Sequence, residues 1–191
     1  MVLVYPLLLG LVLAPLLGGD LRRLADLRLR AIPLLYLALA LQLAAFPVGP
    51  APWHPSDRAA VALWLASYAC LAAATAANLR RAGVPLVAAG LVSNLAAVVA
   101  NGGHMPVLPA AMRAAGRAYD VHFNSAALAA PHLSWLVDRW AAPDWVPHAN
   151  VFSVGDVLIA LGGIVFPLAA TGAFRLRRGS VPAGVRFSRW A

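Results

Sequence analysis

The sequence contains no lysine and no glutamate: all 15 cations are arginine and all 7 anions are aspartate. Charged residues make up only 12% of the chain, where a soluble domain of this size carries roughly a quarter. That scarcity excludes an ordinary solvated surface. The single cysteine, Cys70, excludes an intrachain disulfide and any CxxC metal motif. The five histidines never take the i, i+4 spacing of a helical metal pair, and no metal, haem or other cofactor is expected.

What fills the chain is hydrophobic, 62% of it, in long blocks rather than in alternation. Blocks of that length belong in a bilayer. The net charge of +8 does not point to nucleic acid, because the arginines flank apolar runs instead of forming a patch. Heavy use of Ala, Gly, Pro and Arg fits a GC-rich bacterial genome, and hence a multi-pass protein of the bacterial cytoplasmic membrane.

The pattern predicts an all-α fold of one integral membrane domain. Five transmembrane helices are expected at about 2–18, 31–48, 59–78, 84–100 and 153–174. An extracytoplasmic cap spans 101–152 and a basic cytoplasmic tail spans 175–191. Positive charge follows the first run instead of preceding it, so the run is read as a retained helix and not a cleaved signal. Eleven arginines fall in the loops and tail assigned inside and four outside, which gives an N-out, C-in bundle. The tail, with Arg175, Arg177, Arg178, Arg186 and Arg189, is expected to lie on anionic lipid.

Within the runs, Gln42 is expected to bond a neighbouring helix, and Asn94 to face another helix or a cavity. Ala62, Ala66, Cys70 and Ala74 recur every four residues, predicting a small-residue stripe for close helix approach. In the cap, Leu108, Met112, Ala115 and Tyr119 predict one surface helix. A second is expected from Pro131, with Leu133, Leu136, Val137 and Trp140 on its apolar face.

The candidate binding residues are Asn94, Asn101, His104, Ser153 and Asp156. His122, His132 and His148 are read as interfacial histidines. Ser153 and Asp156 have the spacing of a capping box, in which each side chain bonds the other's backbone N–H. Paired aspartates can also share a proton and activate water, and on that ground Asp156 with Asp144 or Asp138 is the candidate catalytic set.

Three motifs carry a resemblance: Gly18-Gly-Asp20 with its Arg-Leu-Arg run, Asn101-Gly-Gly-His-Met-Pro-Val107, and Val151-Phe-Ser-Val-Gly-Asp-Val-Leu-Ile-Ala-Leu-Gly162. Together they resemble DUF5317, a family of small bacterial polytopic membrane proteins of unknown function. A fainter local similarity is to signal peptidase II, an intramembrane aspartic peptidase. Phe152-Ser-Val-Gly-Asp156 is similar to its Phe-Asn-x-Ala-Asp motif and Asp138-Arg139 to its Asp-Arg pair, with Ser153 in the place of asparagine.

The expected function is that of a non-enzymatic partner or binding protein with an extracytoplasmic polar site, working with another membrane protein. The alternatives are an aspartic hydrolase, or a small transporter in which Gln42 and Asn94 line one cavity.

Overall fold

The computed structural model describes residues 4–47, 53–115, 125–143 and 151–174. In chain order these form α1 (Val4–Leu16), a 3-10 turn (Leu21–Leu24), α2 (Ile32–Ala45), α3 (Asp57–Ala76) and α4 (Val84–Ala100). Then come β1 (Met105–Val107), α5 (Pro109–Ala114), β2 (Ser125–Ala127), β3 (Trp140–Ala141), β4 (Val151–Phe152) and α6 (Val154–Thr171).

The expected five-helix transmembrane bundle is not what forms. Of the six helices among the described residues, only α3 and α6 are long and apolar enough to cross a membrane. The apolar helices α1, α2 and α4 have 13, 14 and 17 residues. At the rise of an α-helix they reach only about 20 to 26 Å, short of a hydrocarbon core of roughly 30 Å.

The shortening has local causes. Gly18, at φ 81°, ends α1, and Gly19 N–H returns to the Ala14 carbonyl. Ala31, at φ 57°, starts α2, and Pro47 follows its last turn. Gly83, at φ 83°, opens α4, which has the bounds expected of it. For α1 and α2, counting apolar residues overestimates helix length because it counts these boundary residues as helix.

Nor is the fold purely helical. β1 pairs in parallel with β2, and β3 pairs antiparallel with β4. The expected second surface helix from Pro131 is replaced by turns, with Leu133 at φ 52°. Its apolar stripe instead drops Leu136 and Val137 into the core. They join Ala45, Trp64, Ala97, Val98 and Met105, which ties the cap to the helix ends. Among the described residues the first expected surface helix is the six-residue α5, and Tyr119 lies outside them.

The helices sort into two groups: α2 lies along α3, while α6 lies between α1 and α4. The α4–α6 contact depends on glycine. Gly83 faces the backbone of Gly162, and Gly90 faces that of Gly155, two pairs seven residues apart on antiparallel helices. A side chain at any of the four would collide with the opposite backbone or with the Asn94 amide. Of the Ala62–Ala74 stripe of α3, Ala62 and Ala66 are exposed and Cys70 is half-buried; Ala74 is buried, and α3 packs through it with Trp64 and Ser67.

The outward faces are apolar. Leu8, Leu9 and Val12 on α1 and Leu37, Leu39 and Leu43 on α2 are among the exposed residues. A helix that is apolar on its outer face as well as its inner one is at rest in lipid. The fold is thus membrane-associated, with two helices long enough to cross.

Candidate functional site

The polar centre sits where α4 meets the start of α6. Ser153 caps α6: its hydroxyl accepts from Asp156 N–H at 3.1 Å, and Ser153 N–H donates to Asp156 Oδ2 at 3.0 Å. The expected capping box is therefore present. Asn94 of α4 reaches into it, donating through Nδ2 to Asp156 Oδ1 at 3.0 Å. The Ser153 hydroxyl lies 2.9 Å from both Asn94 Oδ1 and Asp156 Oδ2, and its single proton serves one of them at a time. Gly155 has no side chain, which leaves room for the Asn94 amide to lie against α6.

A second carboxyl arrives from the cap. Asp138 is held by its backbone: its N–H donates to the Pro106 carbonyl at 3.0 Å, and its own carbonyl accepts from Leu108 N–H at 2.9 Å. Arg139 N–H then donates to the Phe152 carbonyl, at 3.1 Å. The segment is thereby pinned between β1 and β4, and Asp138 is 8% exposed. Burial, and then the charge of nearby Asp156, push its carboxyl from the ordinary 3.8 up to about 8. At neutral pH Asp138 keeps its proton. Tyr68 of α3 lies within the field of both aspartates. Nothing in its sequence context marks it, since it is one aromatic in an apolar run. Its place is set by edge contact with Trp64, at 5.7 Å between ring centroids.

The other expected residues go elsewhere. Asn101 donates to the Ala97 and His132 carbonyls and accepts from His132 N–H, pinning the cap to the end of α4. His104 lines a small separate hollow with Asp57 and Trp64. Gln42 donates to Ser67 Oγ at 3.2 Å, the helix-to-helix bond expected of it. Gln42 and Asn94 thus serve different helix pairs, and neither lines the two apolar grooves on either side of Thr75. Asp144, His122, His148 and the tail at 175–191 lie outside the described residues. Among the described residues no three His, Cys, Asp or Glu side chains gather as a metal site.

Chemically, the cluster holds one half-buried carboxyl group with a donor at each oxygen, Asp156, and a buried second one, Asp138, within its field. Asp138 is the group left able to give up a proton.

A family model described as "Family of unknown function (DUF5317)" matches residues 26–168. The match covers most of the chain, and the protein belongs to that family. Neither the curated proteins nor the solved structures include a match. The local similarity to signal peptidase II therefore has no support from these comparisons.

Proposed function

We propose that this DUF5317 member is a non-enzymatic binding or partner protein of the bacterial cytoplasmic membrane, crossing it more than once. The observation that carries this is the structural use made of Asp156. Its oxygens accept from groups that join α4 to the start of α6, Asn94 at Oδ1 and Ser153 at Oδ2. A carboxylate engaged in helix capping and helix pairing serves the fold. The cluster works as a lock that fixes the cap on α4 and α6, so that the cap presents one constant surface. Exposed Trp53, Trp135 and Trp140 mark that surface at the headgroup level. The opposite helix ends carry Arg22, Arg23, Arg28, Arg30, Arg80 and Arg81, which suit anionic lipid. Another membrane protein meets the cap at its tryptophan-bearing surface. The arginines of 175–191 add attraction to anionic lipid.

The test is affinity purification from the native membrane with mild detergent, comparing wild type with Trp135→Ala and Asp138→Asn. A stoichiometric membrane protein that copurifies with wild type and Asp138→Asn, and is lost with Trp135→Ala, is the expected result. Loss of that partner with Asp138→Asn but not with Trp135→Ala would overturn it.

A second reading is favoured by one arrangement: Asp138 is buried, and its carboxyl is pushed upward by that burial and by the charge of Asp156. Two carboxyl groups that can hold one proton between them are what aspartic hydrolysis uses. Under it, cells carrying Asp138→Asn accumulate uncleaved membrane precursors, seen by N-terminal proteomics of the membrane fraction. A wild-type pattern in those cells removes the hydrolase.

A further inference from the structure

We infer that the protein holds one anionic phospholipid at the basic end of its helices, with an acyl chain lying in the seam between the two helix groups. The seam follows from the packing. α2 and α3 form one group and α1, α4 and α6 the other, and between them lies a groove of about 220 Å³. Leu7, Leu35, Ala74, Val87 and Phe166 contribute to its walls, with Gly163 leaving part of the wall open. Thr75 does not make the groove polar, because its hydroxyl donates to the Leu71 carbonyl within its own helix. A groove lined by alkyl side chains within apolar helices takes a hydrocarbon chain.

Charge decides which lipid. Leu29 lies at the rim of the groove, with exposed Arg28 and Arg30 on either side in sequence. The loop is held there from the turn after α3. Asn78, also at the rim, accepts from Arg30 N–H at 3.0 Å and donates to the Arg30 carbonyl at 2.9 Å. The Arg81 guanidinium donates to the Arg28 carbonyl. These bonds commit backbone, not the Arg28 and Arg30 guanidinium groups. Six arginines stand against two aspartates in residues 20–30 and 80–81. Asp20 already caps the 3-10 turn through Arg22 N–H, at 3.0 Å. A phosphodiester bearing one negative charge completes a rim that is short of anions, while its tail enters the groove. A zwitterionic lipid offers the same tail without net charge.

The proposal rests on the membrane assignment, which extraction of native membranes with alkaline carbonate tests by itself. The lipid test is native mass spectrometry of the full chain in detergent, titrated with dioleoylphosphatidylglycerol or with dioleoylphosphatidylcholine. One phosphatidylglycerol should stay bound at least tenfold more tightly than phosphatidylcholine. The tail arginines contribute a common background, so the comparison is among variants of the full chain. Arg28→Gln with Arg30→Gln should cut phosphatidylglycerol affinity about fivefold per arginine and leave phosphatidylcholine unchanged. Gly163→Leu, which fills the groove, should weaken both lipids while the rim is intact. The proposal is overturned if the two lipids bind alike in wild type, if the double arginine variant keeps the preference, or if Gly163→Leu, folded as judged by its melting curve, binds as wild type does. Displacement of the lipid by millimolar inorganic phosphate would equally overturn it, by showing a headgroup site that makes no use of the tail.

Discussion

Along one side of α4 the backbone lies against α6 so closely that Gly83 and Gly90 face Gly162 and Gly155, whereas on the other side α4 parts from α3 around open apolar grooves. Both sides are lined by small and aliphatic residues, and composition alone would treat them alike. They differ because only the α6 side brings two glycines into register with two others, and only there does a polar side chain, Asn94, cross to the partner helix. Without water, helices gain little from apolar area and much from backbone proximity and interhelical bonds. The tight side is therefore the structural one, and the open side includes the groove proposed above to take a lipid chain.

Gly90→Val should break the contrast most. It drives a branched side chain into the Gly155 backbone and should cost about 3 kcal/mol or more, seen as loss of the monodisperse peak and of the thermal transition in detergent. Asn94→Leu keeps the helix but removes the donor to Asp156 Oδ1 and the acceptor near Ser153. A loss of about 2 kcal/mol is expected, read as a lower melting temperature.

Asp138 makes the comparison depend on pH, and Asp138→Asn should remove that dependence. The folded carboxyl holds its proton up to about 8, whereas the unfolded one releases it near 3.8. Unfolding therefore releases a proton throughout that interval. Stability is greatest below the ordinary value and falls by about 1.4 kcal/mol per pH unit until about pH 8, where the slope ends. Melting curves of Asp138→Asn between pH 4 and 8 should lack this component and lie above wild type at pH 8. An identical pH slope in the two proteins would contradict the burial of a protonated Asp138.

Gly163→Ala is the mildest change and the sharpest control. Its neighbour Gly162 packs against Gly83, but a methyl group at 163 would meet only Leu7 N and Pro6 Cβ, at 3.7 and 3.8 Å. With that room, alanine's helix preference should raise stability by up to about 1 kcal/mol. The same substitution at Gly162 should destabilise, so the pair of melting temperatures separates the contact face from the groove face one residue apart.

Much of the site could be read from residue order. Ser153 and Asp156, three apart before an apolar run, carried the capping box, because that motif is local and its partners are set by helix geometry. Asn94 and Gln42 were recognisable as helix-bonding groups because an amide in an apolar run must find a partner. Which partner each finds was not readable. The pairing of Asn94 with α6 depends on Gly155 across the interface, and nothing near residue 94 shows it.

The amino-acid order by itself determined the apolar blocks, the arginine-rich loops and the cap at the start of α6, all of which depend on neighbours a few residues apart. Only the tertiary structure decided that the Pro131–Trp140 stretch turns into the core instead of coiling. It alone brought Asp138 within the field of Asp156. Each of these depends on backbone hydrogen bonds and glycine contacts between distant segments, whose free energy appears only when the segments meet.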